Sequence, residues 1–294
     1  MCGRYVPIKT INMSENKNNI LIIGGPNVGK THFGGQLYGR LQTRESYYKI
    51  VSPPENLNIF KEVLECLNDG KAADHTNVNS NETLELQIVD ADGKHITFNF
   101  PDYGGEQVKA IVSDRRITKI WKDQIEKSDS WMLFIRLDVI LPFEDIINRG
   151  IPEIEVLSKR NKDVTALKLS DAAFFTELLQ MLLYAKKTAS LNRISNPKLT
   201  IVLSCWDLLE TQAGKRLPYE MLQEKLPSFW NYLTQTWKAE HLDIIGLSAT
   251  EKSLDIKKSD RDFVKKGPEK FGYIITPDGK KESDLTLSIA TFIG

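Results

Sequence analysis

Residues 20–31 read Ile20-Leu21-Ile22-Ile23-Gly24-Gly25-Pro26-Asn27-Val28-Gly29-Lys30-Thr31. Four consecutive apolar residues predict a strand buried on both faces. The eight residues after it match G-x-x-x-x-G-K-[ST], and the stretch from Thr31 to about Leu41 is amphipathic at helical spacing. Strand, glycine-rich loop and helix in that order are the context in which this pattern has a mechanism. Gly24 and Gly29 let the backbone curl, so that successive N–H groups point inward at phosphate oxygens. The helix beginning near Lys30 adds the positive end of its dipole. Lys30 is placed to reach the β- and γ-phosphates, and the Thr31 hydroxyl to ligate Mg²⁺. Gly24, Pro26, Asn27, Val28, Gly29, Lys30, Thr31 and His32 are therefore the expected phosphate-side residues. The expected ligand is a nucleoside triphosphate.

Composition narrows the rest. The chain has 294 residues, with 39 basic and 39 acidic side chains, so it carries no electrostatic footprint for nucleic acid or anionic membrane. Three widely spaced cysteines, Cys2, Cys66 and Cys205, form no CxxC pair, which argues against a disulfide framework or zinc site. No apolar run approaches the ~20 residues a membrane span needs, and Arg136 interrupts the one from Trp131 to Ile135. The N-terminus shows no signal-type apolar region. A cytoplasmic protein is expected, with residues 1–17 as a flexible leader. Met1-Cys2-Gly3-Arg4-Tyr5 resembles the opening of SRAP-type abasic-site sensors, but nothing later in the chain matches that family.

Outward from the loop, Leu57 to Leu67 repeats at helical spacing, and Asn68 to Asn81 turns polar. Leu84, Leu86 and Ile88 alternate with polar residues, Asp92-Gly93 supplies a turn, and Ile96, Phe98 and Phe100 alternate back, which predicts a β-hairpin. Strands at 131–137, 199–204 and 243–247 are separated by a helix at 171–188 and two helical pieces around Pro227. Alternating strands and helices indicate an α/β sheet with its ligand site at the strand carboxyl ends. Residues 18–294 are read as one domain, elaborated by an insertion at 138–170 and a C-terminal extension at 251–294 that contains a short strand, Tyr273-Ile274-Ile275.

The hairpin ends in Pro101-Asp102-Tyr103-Gly104-Gly105-Glu106-Gln107. A carboxylate at a strand end beside the phosphate loop suits Mg²⁺. A glycine three residues later allows a backbone N–H to reach the γ-phosphate, so Asp102-x-x-Gly105 makes a sensor of nucleotide state. An ordinary strand-end turn is the alternative.

With these motifs in place, the sequence resembles the TRAFAC clade of P-loop GTPases. The Asp-x-Gly-Gly form is most like that of Arf-like proteins and heterotrimeric α-subunits. The resemblance implies a three-layer α/β P-loop NTPase fold with a Ras-like mixed sheet whose second and third strands form an antiparallel hairpin. It also implies two further loops. Ser204-Cys205-Trp206-Asp207 stands where the clade carries Asn/Thr-Lys-x-Asp, and Ser248-Ala249 resembles the Ser-Ala loop. Asp207 would accept a paired hydrogen bond from guanine N1–H and N2–H₂, donors that adenine lacks on that edge. Ala249 would offer its N–H to guanine O6. Cys205 departs from the pattern, since the lysine stem that packs along the base is missing; Trp206 is either core or a stacking substitute.

The position of the clade's water-orienting glutamine holds Glu106, with Gln107 one further. Glu106 would orient or deprotonate water, or stand as a solvated switch residue. With Lys30 and Gly105 it completes the expected catalytic set, and slow turnover without an activator follows. The threonine closing the first switch over Mg²⁺ is Thr76 or Thr83, the loop context favouring Thr76; Thr83 lies 19 residues before Asp102.

The third motif, the insertion and the ending Gly272 to Leu287 are similar to the bacterial double-GTPase families of prokaryotic conflict and defence systems. That similarity implies a GTP-binding and hydrolysing switch with GTP/GDP and Mg²⁺ as cofactors. Protein effectors would read residues around 70–83 and 103–116, and one phosphate loop here puts a second GTPase on another chain. A nucleotide-dependent homodimer is a further expectation. The rivals are a pseudo-GTPase scaffold that never cycles, and an ATPase.

Overall fold

The computed structural model describes residues 18–42, 46–54, 57–73, 83–101, 105–140 and 169–292. Among them, nine strands form one mixed sheet in the order β2-β3-β4-β1-β5-β6-β7-β8-β9. The strands are β1 (Asn18–Gly24), β2 (Lys49–Ile50), β3 (Thr83–Val89), β4 (His95–Pro101), β5 (Ser130–Ile135), β6 (Lys198–Ser204), β7 (Leu242–Ser248), β8 (Tyr273–Ile275) and β9 (Lys281–Glu282). β1 runs parallel to β4 and β5, and β5, β6 and β7 continue parallel. The expected hairpin is present, but as the third and fourth strands, because the two-residue β2 pairs ahead of it. Its turn uses Gly93 at φ +80°, as a positive-φ turn residue should.

The apolar runs explain the layering. Along β1, Leu21 and Ile23 face one core and Ile20 and Ile22 the other. β5 divides in the same way, Trp131, Leu133 and Ile135 against Met132 and Phe134. Strands buried on both faces read as unbroken hydrophobic sequence, and both faces are covered here. The first face packs α3 (Gly105–Asp114), α4 (Lys119–Lys127), α5 (Asp171–Lys186), and two helices on either side of Leu226, α7 (Pro218–Lys225) and α8 (Pro227–Thr236); the short α6 (Glu210–Ala213) precedes these two. The second packs α1 (Lys30–Gln42), α2 (Asn58–Asn68), α9 (Arg261–Lys266) and the segment from Leu285 to Phe292. The result is a three-layer P-loop NTPase architecture with the glycine-rich loop at the carboxyl end of the central strand.

The C-terminal extension is built into this fold. β8 pairs antiparallel with β7, and Tyr273, Ile274, Leu285, Ile289 and Phe292 are buried. The leader at 1–17 and most of the insertion at 138–170 lie outside the described residues. No helix among the described residues is long and apolar enough to cross a membrane.

Candidate functional site

A cleft of about 600 Å³ opens at the carboxyl ends of the parallel strands. One wall is the phosphate loop: Pro26, Asn27, Val28, Gly29, Lys30, Thr31 and His32 all line it. Asn27 and Gly29 hold positive φ, +58° and +78°, which turns the loop back over the helix start, and the Gly29 carbonyl accepts the Phe33 N–H at 2.9 Å to open α1. Lys30 Nζ donates to the Gly24 and Gly25 carbonyls at 2.7 and 2.6 Å, so the lysine lies along the loop's inner rim. Burial pushes its ammonium down to about 7. An anion entering the cleft would favour the charged form of this lysine again.

His32 has a second role. Its Nε2 accepts the Ala73 N–H at 3.1 Å, which ties the first turn of α1 to the segment following α2. That segment is also bound to the C-terminal extension: Ala72 N–H donates to Asp255 O, Asp260 N–H to Gly70 O, and the Ser259 hydroxyl to Asp69 O. Gly70, at φ +68°, has no room for a Cβ, which would stand 2.6 Å from the Asp260 carbonyl. The root of the expected first switch is thus anchored. Thr76 lies outside the described residues, and Thr83 opens β3.

The opposite wall begins at Gly105. A Cβ built there would stand 1.9 Å from the Pro26 nitrogen and 2.1 Å from the Gly25 carbonyl carbon. Helix α3 therefore starts in backbone contact with the phosphate loop. Glu106 lines the cleft, with its carboxylate 3.5 Å from Lys109 Nζ. Gln107 turns elsewhere, its Oε1 accepting the Trp121 indole N–H at 3.2 Å. Asp102 is outside the described residues.

The third wall is built by the ends of β6 and β7. Cys205 adopts a left-handed φ of +53°, which swings the chain so that Asp207 faces the cleft and Trp206 turns inward. Trp206 is core: it lies on Gly246, where a Cβ would meet its ring at 2.6 Å. The buried Ser248 hydroxyl donates to Asp207 Oδ1 at 2.6 Å and accepts the Glu251 N–H at 3.0 Å, fixing the carboxylate's direction. Ala249 lines the cleft beside it. The extension supports this loop from below, with Gly272 N–H donating to Glu251 Oε1 and the Gly272 Cα close against the Ala249 carbonyl.

A scan against protein-family profiles matches residues 21–292 to the family described as Double-GTPase 1. The chain belongs to this double-GTPase family. The family is one of GTPases, and the cleft joins the phosphate loop to the loops that carry Asp207 and Ala249. Among solved structures, the chain is similar to a bacterial selenocysteine-specific elongation factor at 13% identity and TM-score 0.34, over 79% of this chain and 26% of that one. It is similar to the GTP-bound Ski7 GTPase-like domain of S. cerevisiae at 13% identity and TM-score 0.36, over 79% and 43%. The third is the signal recognition particle receptor SRb-GTP/SRX complex of Chaetomium thermophilum, at 13% identity and TM-score 0.36, over 81% and 94%. The chain spans about a quarter of the length of the first of these, 26%. A search of curated proteins returns no match.

Several residues at the cleft carried no role in the sequence reading. Ala72, Ala73, Lys252, Leu254 and Ile256 roof it from the first-switch root and the extension. Arg136 lines it from the end of β5. Its one sequence signal was a charge closing an otherwise buried strand next to the phosphate-loop strand.

Proposed function

We propose that this protein is a guanine-nucleotide switch that hydrolyses GTP slowly by itself and acts with partner proteins in a bacterial conflict or antiviral defence system. The observation that carries the switch reading is the backbone contact of Gly105 with the Gly25–Pro26 peptide. A group entering the mouth of the phosphate loop has to engage or displace the start of α3, so phosphate occupancy and helix position are linked.

Magnesium fits the donors available: the Thr31 hydroxyl is a hard oxygen at the cleft, and Mg²⁺ binds through few protein oxygens together with triphosphate and water. Thr31, Asp102 and the first-switch threonine, Thr76 or Thr83, would hold it. The ion would neutralise charge on the phosphates during transfer. Lys30 holds the phosphates, and the Gly105 N–H reads the terminal one. Glu106 would orient water, and its carboxylate charge near the γ-phosphate would keep the intrinsic rate low; a partner arginine would supply the remainder, ~10³–10⁵ in rate. Effectors or a second GTPase would read the segments around 70–83 and 103–116, in the cytoplasm and without nucleic acid, and GTP would favour a homodimer.

Two measurements test this. GTP and GDP should raise the melting temperature where ATP does not, and single-turnover phosphate release should be slow and absent in Lys30→Ala. Stabilisation by ATP alone would overturn the guanine reading. Release undetectable even with partner proteins would leave the non-cycling scaffold, a reading favoured by the pairing of Glu106 with Lys109.

A further inference from the structure

Arg136 stands where the phosphate loop and the base loop come together. Its guanidinium is gripped by Asp138: Nε donates to Oδ1 at 2.9 Å and to Oδ2 at 3.2 Å, and Nη2 donates to Oδ2 at 2.9 Å. Nη1 points the other way, 3.4 Å from the Asn27 carbonyl at the outermost turn of the phosphate loop. The Asp138 hydrogen bond holds the guanidinium above its ordinary range, and the Asp207 carboxylate lies near enough to add to the effect. The side chain is 27% exposed and lines the cleft.

The wall it faces is short of cover. Cys205 ends in a compact thiol that burial keeps protonated, its pKa raised to about 11, so it offers neither reach nor charge over a bound base. A guanidinium plane does offer both. It is weakly hydrated, stacks on π faces, and is attracted to them electrostatically. Anchored on two carboxylate oxygens, it loses little rotamer freedom when a ligand arrives.

We propose that Arg136 is a nucleotide-binding residue: held by Asp138 and tied to the Asn27 carbonyl, it covers one face of the guanine ring and joins the phosphate loop to the base loop. The location separates this from a contact to the γ-phosphate, which would be made on the Lys30 and Gly105 side of the loop. The proposal rests on the guanine-site reading above and adds a contact that reads the face of the base, where Asp207 reads its edge.

The test is titration of fluorescently labelled GDP and of a non-hydrolysable GTP analogue, with competition by GDP and IDP, on wild type, Arg136→Ala, Arg136→Lys and Asp138→Asn. Arg136→Ala should weaken GDP and the GTP analogue by the same factor, roughly tenfold, mainly through faster release. The GDP-over-IDP ratio, which reports the N2 amine and thus Asp207, should stay unchanged. Arg136→Lys, which keeps the charge and loses the plane, should recover only part of the affinity. Asp138→Asn should lie between, and it decides the matter if Arg136→Ala does not fold. Arg136→Ala binding GDP within twofold of wild type overturns the proposal. So does a loss confined to the GTP analogue, which would mark a phosphate contact, or full rescue by lysine. A wild-type protein that binds no guanine nucleotide would instead overturn the site reading itself.

Discussion

The backbone of Gly105 rests on that of Pro26 so closely that even a methyl group between them would stand 1.9 Å from the Pro26 nitrogen. Backbone cannot retreat as a flexible side chain can. Gly105→Ala therefore has to lift the start of α3 away from the phosphate loop. GDP, held by the loop and by Asp207, should bind within a few-fold of wild type. Hydrolysis should fall by ~10²–10³, the size of losing one oriented backbone donor to the transferring phosphate. Single-turnover phosphate release beside GDP titration checks this, and unchanged turnover would refute it.

Lys30 predicts a pH dependence. Its native pKa is lowered by burial from 10.5 to about 7, while the Gly24 and Gly25 carbonyls return part of the ammonium's lost solvation. Bound polyphosphate favours the charged form. Above pH 7 the nucleotide-free site must take up a proton to bind, so affinity should fall as pH rises, by at most about tenfold per unit. For the nucleotide-free fold, the unfolded chain keeps this proton up to 10.5 and the native chain loses it near 7, so stability from this group rises with pH across that window. Calorimetric titration of GDP at pH 8 in two buffers of different ionisation heat should show proton uptake that Lys30→Ala lacks.

Ser248 aims Asp207 without facing the cleft itself. Ser248→Ala removes a 2.6 Å hydrogen bond to a carboxylate and leaves the Glu251 N–H without its acceptor. Hydrogen bonds to charged groups are worth ~1.5–3 kcal/mol. The preference for GDP over IDP should shrink by about tenfold while binding through the phosphates persists. Competition titration measures the ratio.

Gly246 gives the Trp206 ring its seat. Gly246→Val forces the indole off that strand, an overpacking expected to cost ~1–3 kcal/mol. Because Trp206 is flanked by Cys205 and Asp207, GDP affinity should fall together with the melting temperature. A variant that melts lower and binds GDP normally would show the tryptophan to be structural only.

Much of this site is legible because its pieces are continuous in sequence. The phosphate loop is eight consecutive residues whose glycines, lysine and threonine each answer a local requirement, and the strand before it is apolar because both its faces are covered. The alternation that predicts the β3–β4 hairpin is likewise local, as is its Asp92-Gly93 turn. The Asp207 and Ser248-Ala249 loops follow recognisable buried strands, and the ends of parallel strands are where ligands bind. Cys205 looked like a defect in its motif, and Trp206 stayed ambiguous, since nothing in the chain says which way a side chain turns until a neighbour such as Gly246 receives it.

By itself, then, the sequence determined the main strands, the glycine-rich loop and the candidate residues for phosphate and base, because each depends on neighbours within a few positions. Only the tertiary structure decided that Arg136 meets Asn27, that α3 rests on the phosphate loop at Gly105, and that the extension braces both Ala72 and the Ala249 loop. Those contacts join segments set side by side by sheet order. A missing Cβ, or a charge at a strand's end, acquires its meaning only when the second backbone arrives.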